Sequence, residues 1–282
     1  MKKRLKATLN KESQVDALGS SVGTYDLVGD IAVLRATDNL KADLRVVAKA
    51  VLQTHKNVKT VLLQVGGVAG EFRLRSLEWL MGERKTQTVH GEWGCKYKVD
   101  LETCYFSPRL SFERMRVARL VKPHESVVNM FAGVGCFSVL MVRLGRAQIV
   151  YSIDVNPSAV KYLLENARLN RVEAQVVSIQ GDVKDIIVKH LGNIADRVVM
   201  PLPEKAFEYL DCAVTALKPT GGWIHYYDFE HASKDEDPVE KVRAKVSERL
   251  RKLGIGFTVH FGRVVRKTGP NWYQVALDIQ AF

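Results

Sequence analysis

Two glycines and a carboxylate carry the first recognisable chemistry in this 282-residue chain. An apolar run from Ser126 leads into Phe131-Ala132-Gly133-Val134-Gly135, and a second run, from Gln148, ends on Asp154. Strand, Gly-x-Gly turn, helix and a strand closing on a carboxylate make the first half of a nucleotide-binding βαβ unit. Gly133 and Gly135 let the backbone turn tightly and approach a ligand. Asp154, at the carboxyl end of its strand, is placed to accept hydrogen bonds from ribose hydroxyls. Position 138 is Ser, so the third glycine of the pyrophosphate-binding pattern is missing. An adenosine-containing ligand without a diphosphate, such as S-adenosylmethionine, fits better. Asp182 closes the third strand of the series in Ile179-Gln180-Gly181-Asp182. Two readings of it stand: an acceptor for an adenine amino group, or a cap on the following helix.

A second constellation precedes the first. Tyr105-Phe106-Ser107-Pro108-Arg109-Leu110-Ser111-Phe112-Glu113-Arg114 sets one carboxylate between two guanidiniums. Either these charges form a solvated, salt-bridged helix face, or Glu113 accepts a proton while an arginine meets oxyanion charge on a substrate.

The elements that must position these residues fall into two groups. Residues 1–20 read as a polar arm or lead-in helix. Residues 21–105 read as a small α+β domain: a turn into a strand over Tyr25–Leu34, a helix over Lys41–His55, a strand over Val58–Val65, a turn cluster over Gly66–Gly70, and two short strands within Thr86–Val99. Residues 106–282 open with a helix starting at Pro108 or Ser111 and stopped at Lys122-Pro123. Strands and helices then alternate: strands over 127–131, 148–153, 175–179, 197–200 and 223–227, helices over 136–144, 158–170, about 204–217 and about 238–253. Strands over 257–266 and 272–281 close the chain. The pattern is α/β, a mostly parallel sheet with a terminal antiparallel hairpin supplying one antiparallel edge strand. Ligands bind such sheets beyond the carboxyl ends of the strands, where Gly133, Asp154, Asp182 and Pro201–Pro203 fall.

Composition sets outer limits. A net charge of +11 suggests a polyanionic partner, most simply nucleic acid. Cys95, Cys104, Cys136 and Cys212 show no Cys-x-x-Cys pair and no metal-ligand spacing, as expected of reduced thiols in a cytoplasmic protein, and no metal is signalled. No run approaches a membrane span, and the basic N-terminus lacks the apolar core of a signal peptide.

Taken together, Tyr-Phe-Ser-Pro-Arg-Leu-x-x-Glu-Arg, Met-Phe-Ala-Gly-Val-Gly, Ile-Asp-x-Asn-Pro and Gly-Gly-x-Ile-His-Tyr-Tyr resemble the archaeal and eukaryal tRNA (guanine-37-N1)-methyltransferase family, and Asp26–Ala32 and Gly70–Arg73 match its middle domain. The resemblance covers about residues 22–282. It implies a class I, Rossmann-like methyltransferase domain, S-adenosylmethionine as methyl donor, and tRNA as substrate at position 37 of the anticodon loop, with the protein a monomer. It makes Glu113 the base for guanine N1 and Arg73 the group that steadies charge on O6, with Arg114 beside them. Tyr105 and Arg109 become substrate-side residues. Phe131, Gly133, Val134, Gly135, Asp154, Val155, Asp182 and Val183 become the cofactor pocket.

Two departures from the family pattern stand out. Where the family has Asn-Leu-Pro or Asn-Pro-Pro-Tyr after the fourth strand, this chain has Pro201-Leu202-Pro203, the stretch expected to line the substrate side. Pro201 has no side-chain donor or acceptor for the guanine edge. The change suits the branch that also methylates C7 of the tricyclic 4-demethylwyosine. About 20 residues precede the middle domain, so the elbow-reading domain of longer members is expected to be missing. Aminocarboxypropyl transferases of the wybutosine pathway share fold, cofactor and tRNA position, but Arg109-Leu110 and Pro203 argue for methyl transfer. A non-catalytic RNA-binding module is disfavoured by the intact Gly133, Asp154 and Glu113.

Overall fold

The computed structural model of the protein describes residues 25–35 and 44–282. The expected N-terminal arm and the start of the first helix, Lys41–Asp43, lie outside the described residues. The fold divides into two compact units, Met1–Arg109 and Leu110–Phe282.

In the first unit β1 (Asp26–Val28) and β2 (Ile31–Arg35) form a hairpin about Gly29-Asp30, where a single turn into one strand was expected. Helix α1 (Leu44–Thr54) carries the chain to β3 (Thr60–Ala69), parallel to β2. The apolar spacing of α1 buries Val47, Ala48 and Val51 against Ala32, Leu34, Val61 and Leu63. The Gly66–Gly70 cluster is not the turn expected of it. β3 runs on through Gly66 and Gly67, where its register with β4 (Leu74–Gly82) shifts between Gln64 and Val68. Glycines mark a bulge here as they would mark a turn. The chain reverses later, where the Arg73 amide donates to the Gly70 carbonyl, and β4 is a full strand that the alternation did not reveal. β5 (Gln87–Glu92) and β6 (Cys95–Asp100) pair about Trp93-Gly94, both with positive φ.

The second unit begins with α2 (Ser111–Leu120), after a single 3-10 turn at Pro108–Leu110. Its core is a seven-stranded sheet of β7 (Ser126–Asn129), β8 (Ile149–Asp154), β9 (Val176–Gln180), β10 (Arg197–Met200), β11 (Gly222–His231), β12 (Phe257–Gly269) and β13 (Trp272–Ala281), in the order β12-β13-β11-β10-β7-β8-β9. β9 to β11 pair in parallel through β8, β7 and β10, and β13 is antiparallel to β11 and β12. The antiparallel strand is thus not at the edge. It sits second from the edge, because among the described residues β12 pairs with β13 alone.

Helices α3 (Cys136–Arg143), α4 (Pro157–Leu169), α5 (Val183–Ile186), α6 (Leu210–Ala216) and α7 (Pro238–Lys252) connect the strands. The helix expected over 204–217 is split, with a 3-10 turn at Ala206–Tyr209 before α6. α5, continued by a π turn at Ile187–Leu191, is the helix that the capping reading of Asp182 required, though its span was not expected. The near-continuous apolar runs of β7 and β10 are buried on both faces, with Val128, Val198 and Met200 fully enclosed. The chain moves from β7 outward to β8 and β9, then crosses back to place β10 on the other side of β7. That reversal opens a crevice at the carboxyl ends of β7, β8 and β10.

Candidate functional site

The cofactor side is built from turns at those strand ends. Gly133 has φ 53 and Gly135 φ 89, the left-handed region in which a side chain is strained. A Cβ on Gly135 would also stand 3.1 Å from Leu163 Cγ, whereas one on Gly133 would meet nothing within 4 Å, so the backbone there borders open space. The Asp154 carboxylate reaches across to this turn: the Gly133 amide donates to its Oδ2 at 2.7 Å and the Asn156 amide to its Oδ1 at 2.9 Å. Burial pushes this carboxyl above its ordinary range, against the pull of the amides. Asn156 then caps α4 on the Ser158 amide, and Pro157 takes the first helical position. Ile-Asp-x-Asn-Pro is therefore a strand end, a turn and a helix start in five residues.

Asp182 forms the helix cap that its sequence position allowed. Oδ1 caps α5 on the Lys184 amide at 2.8 Å, and Oδ2 accepts from the Tyr209 hydroxyl at 3.2 Å. Burial, then the neighbouring Asp182, push the Tyr209 phenol up to about 12, so it remains a donor. Tyr209 packs edge-on against Phe131 with ring centroids 5.3 Å apart, which joins Phe131, Tyr209 and Asp182 into one wall. Val155 is exposed beside Asp154, while the Val134 and Val183 side chains belong to the core. This donor set fits S-adenosylmethionine. It offers carboxylate acceptors for hydroxyl and amino groups beside an aromatic ring. The Gly133 amide that a pyrophosphate would need is already taken by Asp154.

Glu113 is not on a solvated face. It is 2% exposed and Arg114 is 4% exposed, both on the inner side of α2. Glu113 Oε1 accepts from Arg116 Nε at 3.0 Å, from Arg116 Nη2 at 2.7 Å and from the Tyr227 hydroxyl at 3.0 Å. Its other oxygen, Oε2, is buried with no hydrogen-bond donor among the described residues, and Arg263 Nη1 stands 3.9 Å away. Burial, then Glu113, hold the Tyr227 phenol well above its ordinary range, which fixes it as a donor. Pro201 and Leu202 lie half-buried just past β10, and the Leu202 carbonyl accepts from the Lys205 and Ala206 amides.

The first unit groups its own candidates. The Arg73 guanidinium lies over the Tyr105 ring, 5.1 Å from its centroid, and Arg73 itself has φ 56. A strained turn residue carrying a functional group is a common site signature. Arg109 Nε donates to Asp26 Oδ1 at 2.6 Å, and Arg35 and Arg75 reach Asp26 Oδ2 at 3.0 and 3.5 Å. Arg109 thus has a structural partner whatever else it touches.

Tyr209, Tyr227, Arg116 and Arg263 were not singled out from sequence. Tyr227 ends the quoted Gly-Gly-x-Ile-His-Tyr-Tyr run, which was the one available signal; the others sit in ordinary helix and strand patterns. Among the described residues no cluster of three or more His, Cys, Asp or Glu could hold a metal ion.

A seven-stranded sheet of this order, with a Gly-x-Gly turn tied to the carboxylate of the second strand, defines a class I S-adenosylmethionine-dependent methyltransferase. The chain belongs to the TRM5/TYW2 methyltransferase family: residues 88–254 match the TRM5/TYW2 methyltransferase domain and residues 1–86 the TYW2 N-terminal domain. It is 39% identical over 257 residues to tRNA (guanine(37)-N(1))-methyltransferase Trm5b of Pyrococcus abyssi, covering 91% of this chain and 74% of that protein. It is also 39% identical to tRNA 4-demethylwyosine(37)-methyltransferase Taw21 of Saccharolobus solfataricus, covering 91% and 93%. Relatives named as aminocarboxypropyltransferases match at 31%. Among solved structures, a complex of aTrm5 with tRNALeu aligns over 99% of this chain and 78% of that one, at TM-score 0.82 and 32% identity. S-adenosylmethionine is the cofactor, and a Methanocaldococcus jannaschii TYW2 solved with AdoMet aligns over 92% of this chain and 99% of that one, at TM-score 0.69 and 26% identity.

Proposed function

We propose that this methyltransferase acts on tRNA at position 37 of the anticodon loop, methylating N1 of guanosine. The observation that carries the reading is the divided Glu113 carboxylate, with one oxygen held by three donors and the other buried without one. Guanine N1 is a poor nucleophile while protonated. Glu113 Oε2 takes that proton, and the N1–H pair stays on the ring as negative charge shared with O6. A positioned base contributes about 10²–10⁴ in rate. Arg114, beside Glu113 on α2, is the guanidinium proposed to meet the O6 charge. Asp154 and Asp182 would hold the ribose and adenine ends of the cofactor, which would supply an electrophilic methyl. The target base leaves its stack to be reached.

One observation favours a second acceptor, C7 of 4-demethylwyosine. Pro201 removes a hydrogen-bonding side chain from the substrate side, and Taw21, a methyltransferase for that base, matches nearly end to end. The same Glu113 oxygen would take the C7 proton. The four buried cysteines support a cytoplasmic setting.

Mass spectrometry of nucleosides tests both. Guanosine-37 tRNA and 4-demethylwyosine-37 tRNA are each incubated with the protein and methyl-labelled cofactor. Label on N1 of guanosine is the expected result. Label on neither base overturns the methyl-transfer reading, and label on the tricyclic base alone replaces N1 with C7. Glu113→Gln is expected to lower turnover at least 100-fold with tRNA affinity unchanged.

A further inference from the structure

Behind Glu113 runs a line of buried ionic contacts that the reaction as described does not use. Arg116 grips Glu113 with Nε and Nη2, and also grips Asp278: Nη1 to Oδ2 at 2.5 Å and Nη2 to Oδ1 at 3.0 Å. Asp278 Oδ1 lies 2.6 Å from His225 Nδ1, and His225 Nε2 lies 2.7 Å from Arg197 Nη1. Arg197 is held by Glu125 through Nε at 2.8 Å and Nη2 at 2.9 Å, and by the Leu120 carbonyl. Asp278, His225 and Arg197 are all buried. The line crosses four elements, α2, β13, β11 and β10, and ends on Glu125, just before β7.

Its proton inventory follows from donor chemistry. A guanidinium only donates, so His225 Nε2 is the acceptor of Arg197. The imidazole is then neutral, with its one proton on Nδ1, donated to Asp278. Burial favours the same state by pushing the imidazole below its ordinary range. His225 therefore adds no charge, and Asp278 keeps its full negative charge to set against Arg116. Glu113 faces Arg116 from its own helix, Tyr227 from β11 and Arg263 from β12, with Asp278 of β13 behind Arg116. Phe261 of β12 lies against the Arg116 guanidinium, 4.8 Å from ring centroid to Cζ.

Arg116 shared with no one would stabilise the Glu113 carboxylate and make it a weak base. Asp278 divides that guanidinium between two carboxylates. We propose that Asp278, oriented by His225, sets the basicity of Glu113 through Arg116, so that Asp278 and His225 are positioning residues for the methyl-transfer base. The line as far as Asp278 carries one excess negative charge while Glu113 is ionised, and none once Glu113 has taken the substrate proton.

This inference rests on Glu113 being the base, and the experiment separates the two. Single-turnover methyl transfer is followed from pH 5 to 9 for wild type, Glu113→Gln and Asp278→Asn. Asp278→Asn is expected to move the acid limb down by about one pH unit and to lower the plateau about tenfold, with cofactor and tRNA affinity unchanged. A merely structural change would lower activity at every pH without moving the limb. If Glu113→Gln is inactive while Asp278→Asn keeps the wild-type limb and plateau, or loses activity without moving the limb, the inference fails and the base assignment stands. If Glu113→Gln turns over normally, the base assignment fails first. A measurement on the wild type guards against a variant that does not fold. Nitrogen-15 spectra of the imidazoles should show His225 neutral and protonated on Nδ1 from pH 6 to 8, and an imidazolium at pH 7 would overturn the proposal.

Discussion

Asp26 shows how much one carboxylate can hold. It is buried among Arg35, Arg75 and Arg109, two of which reach water while Arg75 does not. Burial alone would raise its carboxyl, but the arginines outweigh burial and hold it below its usual value of 3.8. A depressed folded value means stabilisation that is present above about pH 3.8 and lost as pH falls through the folded value. Asp26→Asn leaves three guanidiniums without their counter-charge. It is expected to cost about 3 kcal/mol at pH 7 and to flatten the loss of stability below pH 4, read by denaturant melts across pH. At the same scale, Tyr209→Phe removes the hydroxyl that donates to Asp182. It should weaken cofactor binding measurably by calorimetry while leaving the fold intact, and unchanged affinity would separate Tyr209 from the pocket. Glu113 was legible as a candidate base from its neighbours in sequence. That it is buried, and which of its oxygens is committed, was not, because both depend on Tyr227, 114 residues away in the chain.

Elements were legible wherever one local rule decided them. α4 and α7 begin on Asn-Pro and Asp-Pro, and both caps form as the residues dictate. β10 and β13 fall on the expected residues because apolar runs bounded by turns leave little choice. β3 ran past its expected end because glycine permits a bulge as readily as a turn, and only pairing with β4 settles which. The Gly-x-Gly turn gives the sharpest element-level test. Gly135→Ala must take φ 89 and press on Leu163, at a cost of about 1–2 kcal/mol for the left-handed backbone alone. It is expected to lower both melting temperature and cofactor affinity, and a variant with wild-type values of each would show that the turn relaxes without loss.

For the whole molecule, the charge of +11 is spread over both units, and β12 carries part of it with no acid of its own. Its 13 residues include His260, Arg263, Arg266 and Lys267, on the edge of the sheet. An edge strand so charged resists pairing with another sheet and offers phosphates a track. Arg266→Ala with Lys267→Ala should weaken tRNA binding and reduce the slope of log affinity against log salt by about one per lost phosphate contact. An unchanged slope would place the RNA on other basic surface. By itself the sequence determined the α/β alternation, the pairing of a Gly-x-Gly turn with a strand-end carboxylate at Asp154, and the family, because each rests on residues close together in the chain or on motifs with fixed spacing. Tertiary structure alone decided that β13 lies inside β12, that Asp154 occupies the amide a diphosphate would need, and that Glu113 is backed by Arg116, Asp278 and His225. Those outcomes turn on strand order and on which charges meet in a space without water, where an ion without its partner costs more than the chain can bear.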